Sequence, residues 1–444
     1  MRFARSSTRL ALLLSIWMVR KFHHCGKGEV VERQPVVVTG KGVSQLLASR
    51  IIPGGSGKDI ATEVLDQIES FKITEKVKCV CSDTTSTNTG CNNGAVKIIE
   101  DRLGRRLIYL ACRHHALEII PKTLFENLIE KSSSPDIGKI CKNFATEWEK
   151  LDQKDYTPAT MANDTTCNAV LTQDAKLRIT NFVFKSLQKE QVRADYEYFL
   201  ELVLIFIGET PPKGVHFRPP IALTSARFMG RIIYCLTIYM FARQMRDFNL
   251  FIVTTYVEPW FTATVPSVAP WTDLNLLISI FKYESVSKTV ADIAMKTWVN
   301  HLWYLAPHCI ALSFFDRDVP VEVKVEMVIN LNIAPKEKVP PKRLKWPKTQ
   351  KIAEDLTVAS FVNSHTQEFF TLLNLDTSFL TAHPSEWHSH DSFSAALEIV
   401  EALVVVNDVA DRAVKLTTDF NGILTRSEKK FSEYFAGDAQ NASK

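Results

Sequence analysis

Long uninterrupted apolar runs are missing from this chain of 444 residues. The stretch Ile221 to Met245 is broken by Arg227, Arg231 and Arg243, and Trp298 to Phe315 by His301, Pro307 and His308. A bilayer-spanning helix needs about 20 mostly apolar residues. Both stretches therefore read as core helices, and no membrane partner is expected. A strong charge bias is missing too: a net charge of +4 does not by itself announce nucleic-acid binding, so local clusters matter more than the sum. There is no internal repeat and no Walker loop, because Thr84 to Gly90 lacks the Gly-x-x-x-x-Gly-Lys spacing. Gly54-Gly55-Ser56-Gly57 lacks the context of a dinucleotide site and reads as a flexible turn.

Cysteine is scarce as well. The nine cysteines (25, 79, 81, 91, 112, 141, 167, 235 and 309) are thinly spread and odd in number. Cys79 and Cys81 share one face of a predicted strand at roughly 6.6 Å between Cα atoms, near the upper limit for a disulfide. No pairing is expected there, and the composition reads as an intracellular protein with reduced thiols. Residues 1 to 20 pull the other way: three arginines precede the apolar run Leu10 to Val19, as in a secretory signal. No small-residue cleavage site follows, so a first strand or a truncated start is preferred over secretion.

What is present is ordinary globular material, 46% hydrophobic and 23% charged, long enough for two or three domains. The first third alternates strand and helix. Pro35 to Thr39 reads as a strand, Lys58 to Phe71 as a helix, Lys76 to Cys81 as a strand ending at Asp83, and Gly94 to Leu103 as a helix closed by Gly104. Leu107 to Ala111 is a further strand, ending at Cys112 and His115. Acid and Cys/His at the carboxyl ends of neighbouring strands is where open α/β sheets place chemistry. Beyond His115 the periodicity turns helical, including Ala194 to Ile207, Ser225 to Met245 and Lys288 to Leu305. Ala334 to Lys351 interleaves prolines with lysine and arginine and reads as a solvated linker. Its Lys342, Arg343, Lys345 and Lys348 are weak candidates for nucleic-acid contact or nuclear import. Phe393 to Leu416 has the spacing of a strong helix.

Blander chemistry competes at each motif. Cys112 and His115 have half of a zinc site's spacing, but no second ligand pair is visible, so a buried polar brace beside Asp83 is preferred. A Cys112 nucleophile would need an oxyanion hole and an orienting group. The hydroxyls of Thr84 to Thr89 are expected to cap the following helix, and Trp148, Trp298 and Trp303 to pack in the core.

The segments Cys81-Ser82-Asp83-Thr84-Thr85-Ser86-Thr87-Asn88-Thr89-Gly90, Leu110-Ala111-Cys112-Arg113-His114-His115-Ala116-Leu117-Glu118, His301-Leu302-Trp303-Tyr304-Leu305 and Val406 to Leu416 occur in a telling order. Together they resemble the hAT superfamily of DNA transposases, and within it the transposase-derived proteins abundant in invertebrate genomes. The resemblance implies a ribonuclease-H-like α/β core, a mixed sheet flanked by helices, interrupted by a large all-α insertion. It implies an apolar segment at 1–22, the first half of the core at 23–120, the insertion at 121–333 and a basic, proline-rich return at 334–390. A C-terminal helix at 391–436 completes the core, and 437–444 is a tail. It also implies three carboxylates holding Mg²⁺ or Mn²⁺ for phosphodiester cleavage and strand transfer: one on the first strand, one after the fourth, one on a helix beyond the insertion.

On this mapping Asp83 is the second carboxylate, with Cys112 and His115 close by. Asp411, followed by Arg412, stands where the family has Glu-Arg, and Asp is one methylene shorter. The first carboxylate falls in His24-Cys25-Gly26-Lys27, where Asp-Gly-Lys is expected, so Cys25 replaces it; a thiol is a poor partner for Mg²⁺. Nothing before residue 24 resembles a DNA-binding zinc finger. The expectation is an impaired, intracellular, nuclear protein without a small-molecule substrate, keeping DNA or protein binding and self-associating. The competing expectations are an active metal-dependent transposase or nuclease, with Glu29 or Glu32 as substitutes, and a helical scaffold over residues 120 to 330.

Overall fold

The computed structural model describes residues 12–16, 20–23, 30–131, 138–191, 193–219, 229–346, 352–353 and 355–406. Cys25, Lys348, Asp411 and Arg412 lie outside them, as do the substitutes Glu29 and part of the 334–351 segment.

Alternation of short β-prone runs builds one sheet of six strands. These are β1 (Leu12–Ile16), β2 (Arg20–His23), β3 (Val30–Gly40), β4 (Val43–Ile51), β5 (Val77–Ser82) and β6 (Ile108–Ala111). β3 is the backbone of the sheet's antiparallel half. β4 pairs along one side of it, while β1 and β2 lie in line along the other. Pro35, which has no N–H to offer a neighbour, falls between the two segments, β2 pairing with residues 30–33 and β1 with 36–39. β1 then runs parallel to β5, and β5 parallel to β6. The order across the sheet is β4-β3-β1-β5-β6, with β3 the strand that runs against its neighbours.

β5 and β6 read as continuous apolar runs because both their faces are covered; Val77, Cys79, Val80, Cys81, Ile108, Leu110 and Ala111 are all fully buried. β4 was not expected from sequence. Its run Val-Ser-Gln-Leu-Leu-Ala-Ser-Arg-Ile has little alternation, and the strand exists because the tight turn at Lys41-Gly42, with Gly42 at φ 69°, folds it back onto β3. Helices α1 (Gly57–Ser70), α2 (Ser86–Thr89) and α3 (Ala95–Leu103) follow, and α1 packs on α3 and against β3. α3 ends where expected, on Gly104 in the left-handed region at φ 64°.

From α4 (Arg113–Leu128) onward the described residues contain helices and no strand. Helix Ala194–Ile207 is buried on almost every side and packs against Met229–Ala242. Each is 14 residues, about 21 Å at 1.5 Å per residue, well short of a bilayer core. Among the described residues no helix is long and apolar enough to cross a membrane.

Two helical expectations need correction. Lys288 to Leu305 is helical only over Lys288–Trp298, after which residues 299–306 form turns. The helix expected from Phe393 to Leu416 spans Asp391–Glu401 and stops; Leu403, Val405 and Val406 follow as a buried non-helical segment. Valine is a poor helix former, and the Val405 carbonyl accepts from the Arg113 N–H at 2.8 Å, docking this segment on the start of α4. Residues 340–344 are likewise no solvated linker. Leu344 N–H donates to Leu302, Arg106 donates to the Pro340 carbonyl, and Lys342 pairs with Glu100 at 2.5 Å.

Candidate functional site at the end of strand β5

Strand β5 is buried at every position but Lys78 and then delivers Asp83, only 2% exposed, to the carboxyl edge of the sheet. One oxygen of Asp83, Oδ1, accepts three hydrogen bonds: from the Thr85 N–H at 2.9 Å, the Thr85 hydroxyl at 2.6 Å and the Asn88 amide at 3.0 Å. The other, Oδ2, is buried with no hydrogen-bond partner. The loop after the strand is therefore organised by the carboxylate. The expectation that its hydroxyls cap the next helix is not met: Thr85 stands at the N-cap of α2 without a side-chain cap bond, its hydroxyl being given to Asp83, and the N-cap of α3 is Gly94. Behind the carboxylate, Ser82 and Tyr109 both donate hydroxyls to the Asp83 carbonyl, at 2.9 and 3.1 Å. Burial holds the Tyr109 phenol far above its ordinary range, so it stays a neutral donor.

The loop is also clamped from the side. Gly57, read from sequence as part of a flexible turn, opens α1 under a capping box formed by Ser56 and Asp59. A β-carbon at Gly57 would come within 2.2 Å of the Asn93 carbonyl and 2.8 Å of the Thr87 carbonyl. Glycine is there so that the start of α1 can touch the backbone of the loop that carries Asp83.

Next to Asp83, the Cys112 N–H extends the β5–β6 pairing by donating to the Ser82 carbonyl at 2.8 Å. Cys112 lies near enough to Cys81 to help raise that thiol's pKa, burial being the larger cause and Asp83 a further one. Cys81 is thus a protonated structural thiol rather than a nucleophile. The four residues after β6 then diverge. Arg113 pairs with Asp273 at 2.5 Å, both side chains buried, and its guanidinium lies over the Tyr304 ring at 5.7 Å. Burial raises Asp273 to about 6 against the opposing pull of Arg113. His114 enters the helical block, stacked on Trp260 with ring centroids 4.2 Å apart. His115 lies close enough to His301 that it, after burial and ahead of Arg343, depresses His301 to about 4.

Cys112 is therefore brought to Asp83, and His115 to His301, which lines one cleft together with Thr84 and Asn88 of the Asp83 loop. Cys25, Asp411 and Arg412 lie outside the described residues; within them, the β1 residue beside Cys81 is Ser15, ten positions before Cys25 (25 − 15). No group of three or more His, Cys, Asp or Glu side chains is gathered as a metal site among the described residues. Cys79, Cys81 and Cys112 form no disulfide. The basic residues Lys342 and Arg343 turn inward, Lys342 to Glu100 and Arg343 to the Asn300 carbonyl at 2.8 Å and over the Trp303 ring at 5.4 Å. Trp148 and Trp298 are core residues as expected, Trp298 donating to the Asp273 carbonyl at 3.2 Å.

Asp273 was invisible to sequence reasoning. It sits 160 positions from its partner, on a helix whose periodicity signals only an apolar face. The sequence matches no family model and none of the curated proteins.

Proposed function

We propose that this chain is a transposase-derived protein with a ribonuclease-H-like core, impaired as a nuclease and retaining nucleic-acid binding. The supporting observation is the sheet. Taking β1 and β2 as one arm, Asp83 directly follows the fourth strand, Cys112 follows the fifth, and a long helical block comes next. That is the order in which the resembled transposases carry their second carboxylate, their Cys-x-x-His pair and their insertion.

Impairment rests on the carboxylates. Mg²⁺ or Mn²⁺, when bound, would activate a nucleophile and stabilise the leaving oxygen in an in-line displacement. Asp83 fits such a role through Oδ2, a buried acceptor without a hydrogen-bond partner. Its Oδ1 is already saturated by Thr85 and Asn88, which argues against both oxygens serving ions. By the resemblance, Cys25 in place of the first carboxylate would offer a soft ligand to a hard ion, and Asp411 in place of glutamate would shorten the third by about 1.5 Å, enough to cost roughly 100-fold in rate.

The test is Mn²⁺-dependent cleavage of a DNA hairpin and a nicked duplex, with Asp83→Ala beside the wild type. The expected outcome is duplex binding by fluorescence anisotropy, weakening as salt rises, with no cleavage that depends on Asp83. Cleavage abolished by Asp83→Ala would show a working nuclease, and absence of salt-dependent duplex binding would remove the nucleic-acid role.

A further inference from the structure

Beside the Asp83 loop, whose Thr84, Asn88 and Thr89 form one wall, lies a cleft of about 750 Å³ bounded also by α3, the turn into β6 and residues 339–345. Its size falls within the range of small-molecule sites, about 300–1,000 Å³. Tyr109 and Trp303 meet edge to face at its base, ring centroids 5.3 Å apart. Six cations line it, Lys97, Arg105, Arg106, Lys342, Arg343 and Lys345, against the two carboxylates Glu100 and Asp101. Those carboxylates are already engaged, Glu100 by Lys342 and the Leu107 N–H, Asp101 by Lys97. Arg106 also pairs with Glu368 at 3.5 Å, so the excess of positive charge rests on Arg105, Arg343 and Lys345, the last of them exposed.

Charge alone would suit any anion. The polar atoms are more selective. Trp303 is 6% exposed and its Nε1–H has no hydrogen-bond partner; Asn88 is 1% exposed and its Oδ1 has none; the buried Nδ1 of His301 has none either. All three residues line this cleft. A buried polar group left unmatched costs about 1–3 kcal/mol, and inorganic phosphate, a small ion drawn to the cations, is poorly suited to meet the Asn88 carbonyl, the Trp303 N–H and the His301 ring together. His301 is neutral at pH 7, since burial, His115 and Arg343 push it down to about 4, so its ring both donates and accepts. The unmatched set thus comprises a donor, an acceptor and an amphoteric ring nitrogen beside a cationic rim.

We propose that this cleft is a binding site for a nucleoside monophosphate, its heterocycle hydrogen-bonded to Trp303, Asn88 and His301 and its phosphate held at the cationic rim by Arg105, Arg343 and Lys345. This goes beyond the nuclease reading and does not depend on it, since neither metal nor DNA takes part.

Isothermal titration of the full chain without metal, at one fixed salt concentration, tests it with the four ribonucleoside monophosphates, ribose 5-phosphate, inorganic phosphate and a single-stranded oligonucleotide. At least one monophosphate is expected to bind at about 100 µM or tighter, at least about tenfold more tightly than ribose 5-phosphate or phosphate. Trp303→Phe removes the N–H while keeping an aromatic ring, and Lys345→Glu alters an exposed side chain that folding does not need; each is expected to weaken binding about tenfold, a difference of about 1.4 kcal/mol. Circular dichroism checks that both variants fold, and Lys345→Glu alone decides if Trp303→Phe does not. The proposal is overturned if no monophosphate binds, if ribose 5-phosphate or phosphate binds equally well, if the folded variants bind like wild type, or if only the oligonucleotide binds.

Discussion

Asp83 and His301 are buried polar residues whose surroundings decide their chemistry. Asp83 commits one oxygen to its own loop and leaves the other open. His301 is driven to about 4 by burial, with His115 and Arg343 adding to the shift. The unfolded chain takes up this proton near 6.5, while the folded chain resists it until about 4. Stability from this residue is therefore present above 6.5 and is lost as pH falls through that window. From pH 7 to pH 5 the loss is at most about 2 kcal/mol. Asp273 and Asp316, both raised to about 6 by burial, act in the opposite sense between their ordinary range and 6. The wild type alone thus shows only the net slope. Comparing urea unfolding of wild type and His301→Gln at pH 7 and pH 5 isolates the histidine: the wild type should lose up to about 2 kcal/mol more than the variant. Equal losses would show that His301 titrates in the folded protein as it does in water. The positions of Asp83, Cys112 and His115 at strand and helix ends were legible in sequence. Their different partners were not, because side-chain direction after a strand depends on what packs there.

Elements owe their boundaries to local chemistry wherever local chemistry is strong. α3 ends on Gly104, and helix Ala194–Ile207 ends on Gly208 in the left-handed region at φ 86°. Sequence periodicity located both. It failed at β4, where the pairing surface of β3 makes the strand, and at Leu403 to Val406, where docking on α4 overrides a helical pattern. It also misjudged Gly57, whose role is a close backbone approach that no one-dimensional pattern reveals. Gly57→Ala should destabilise by about 1–3 kcal/mol through overpacking against Asn93 and Thr87 and should disturb the loop that holds Asp83. Gly104→Ala, where a β-carbon meets nothing within 4 Å, should cost only the left-handed backbone penalty of about 1–2 kcal/mol. Chemical denaturation gives both values, and amide exchange at Thr85 and Asn88 separates them. Faster exchange there in Gly104→Ala but not in Gly57→Ala would contradict the clamp.

At the scale of the whole molecule, buried polar ties join the sheet edge to the helical block within one continuous apolar core. Arg113 reaches Asp273, the Tyr304 hydroxyl donates to the Ala111 carbonyl at 2.5 Å, and the Cys309 thiol donates to the Tyr109 carbonyl at 3.2 Å. Burial lifts Cys309 to about 12, so it remains a thiol donor. Asp273→Ala strands a buried guanidinium and should cost about 3–5 kcal/mol, whereas Arg113→Met with Asp273→Leu should recover most of the loss. Denaturant midpoints at an unchanged slope measure this. A double variant no more stable than Asp273→Ala would mean that the pair's hydrogen bonds, not its buried charge, hold the two parts together.

Sequence by itself determined the alternation of helix and strand from Gly57 to Ala111, the helical character that follows, and the delivery of Asp83 and Cys112 to adjacent strand ends. Those features arise from periodicity, capping and strand order within a few dozen residues. Only the tertiary structure decided that Arg113 belongs to Asp273, that His115 faces His301, and that a proline-rich segment closes a cationic cleft over Trp303. The physical reason is range. A hydrogen bond or ion pair between residues more than a hundred positions apart is set by which surfaces bury each other, and that information is spread over every element that takes part in the burial.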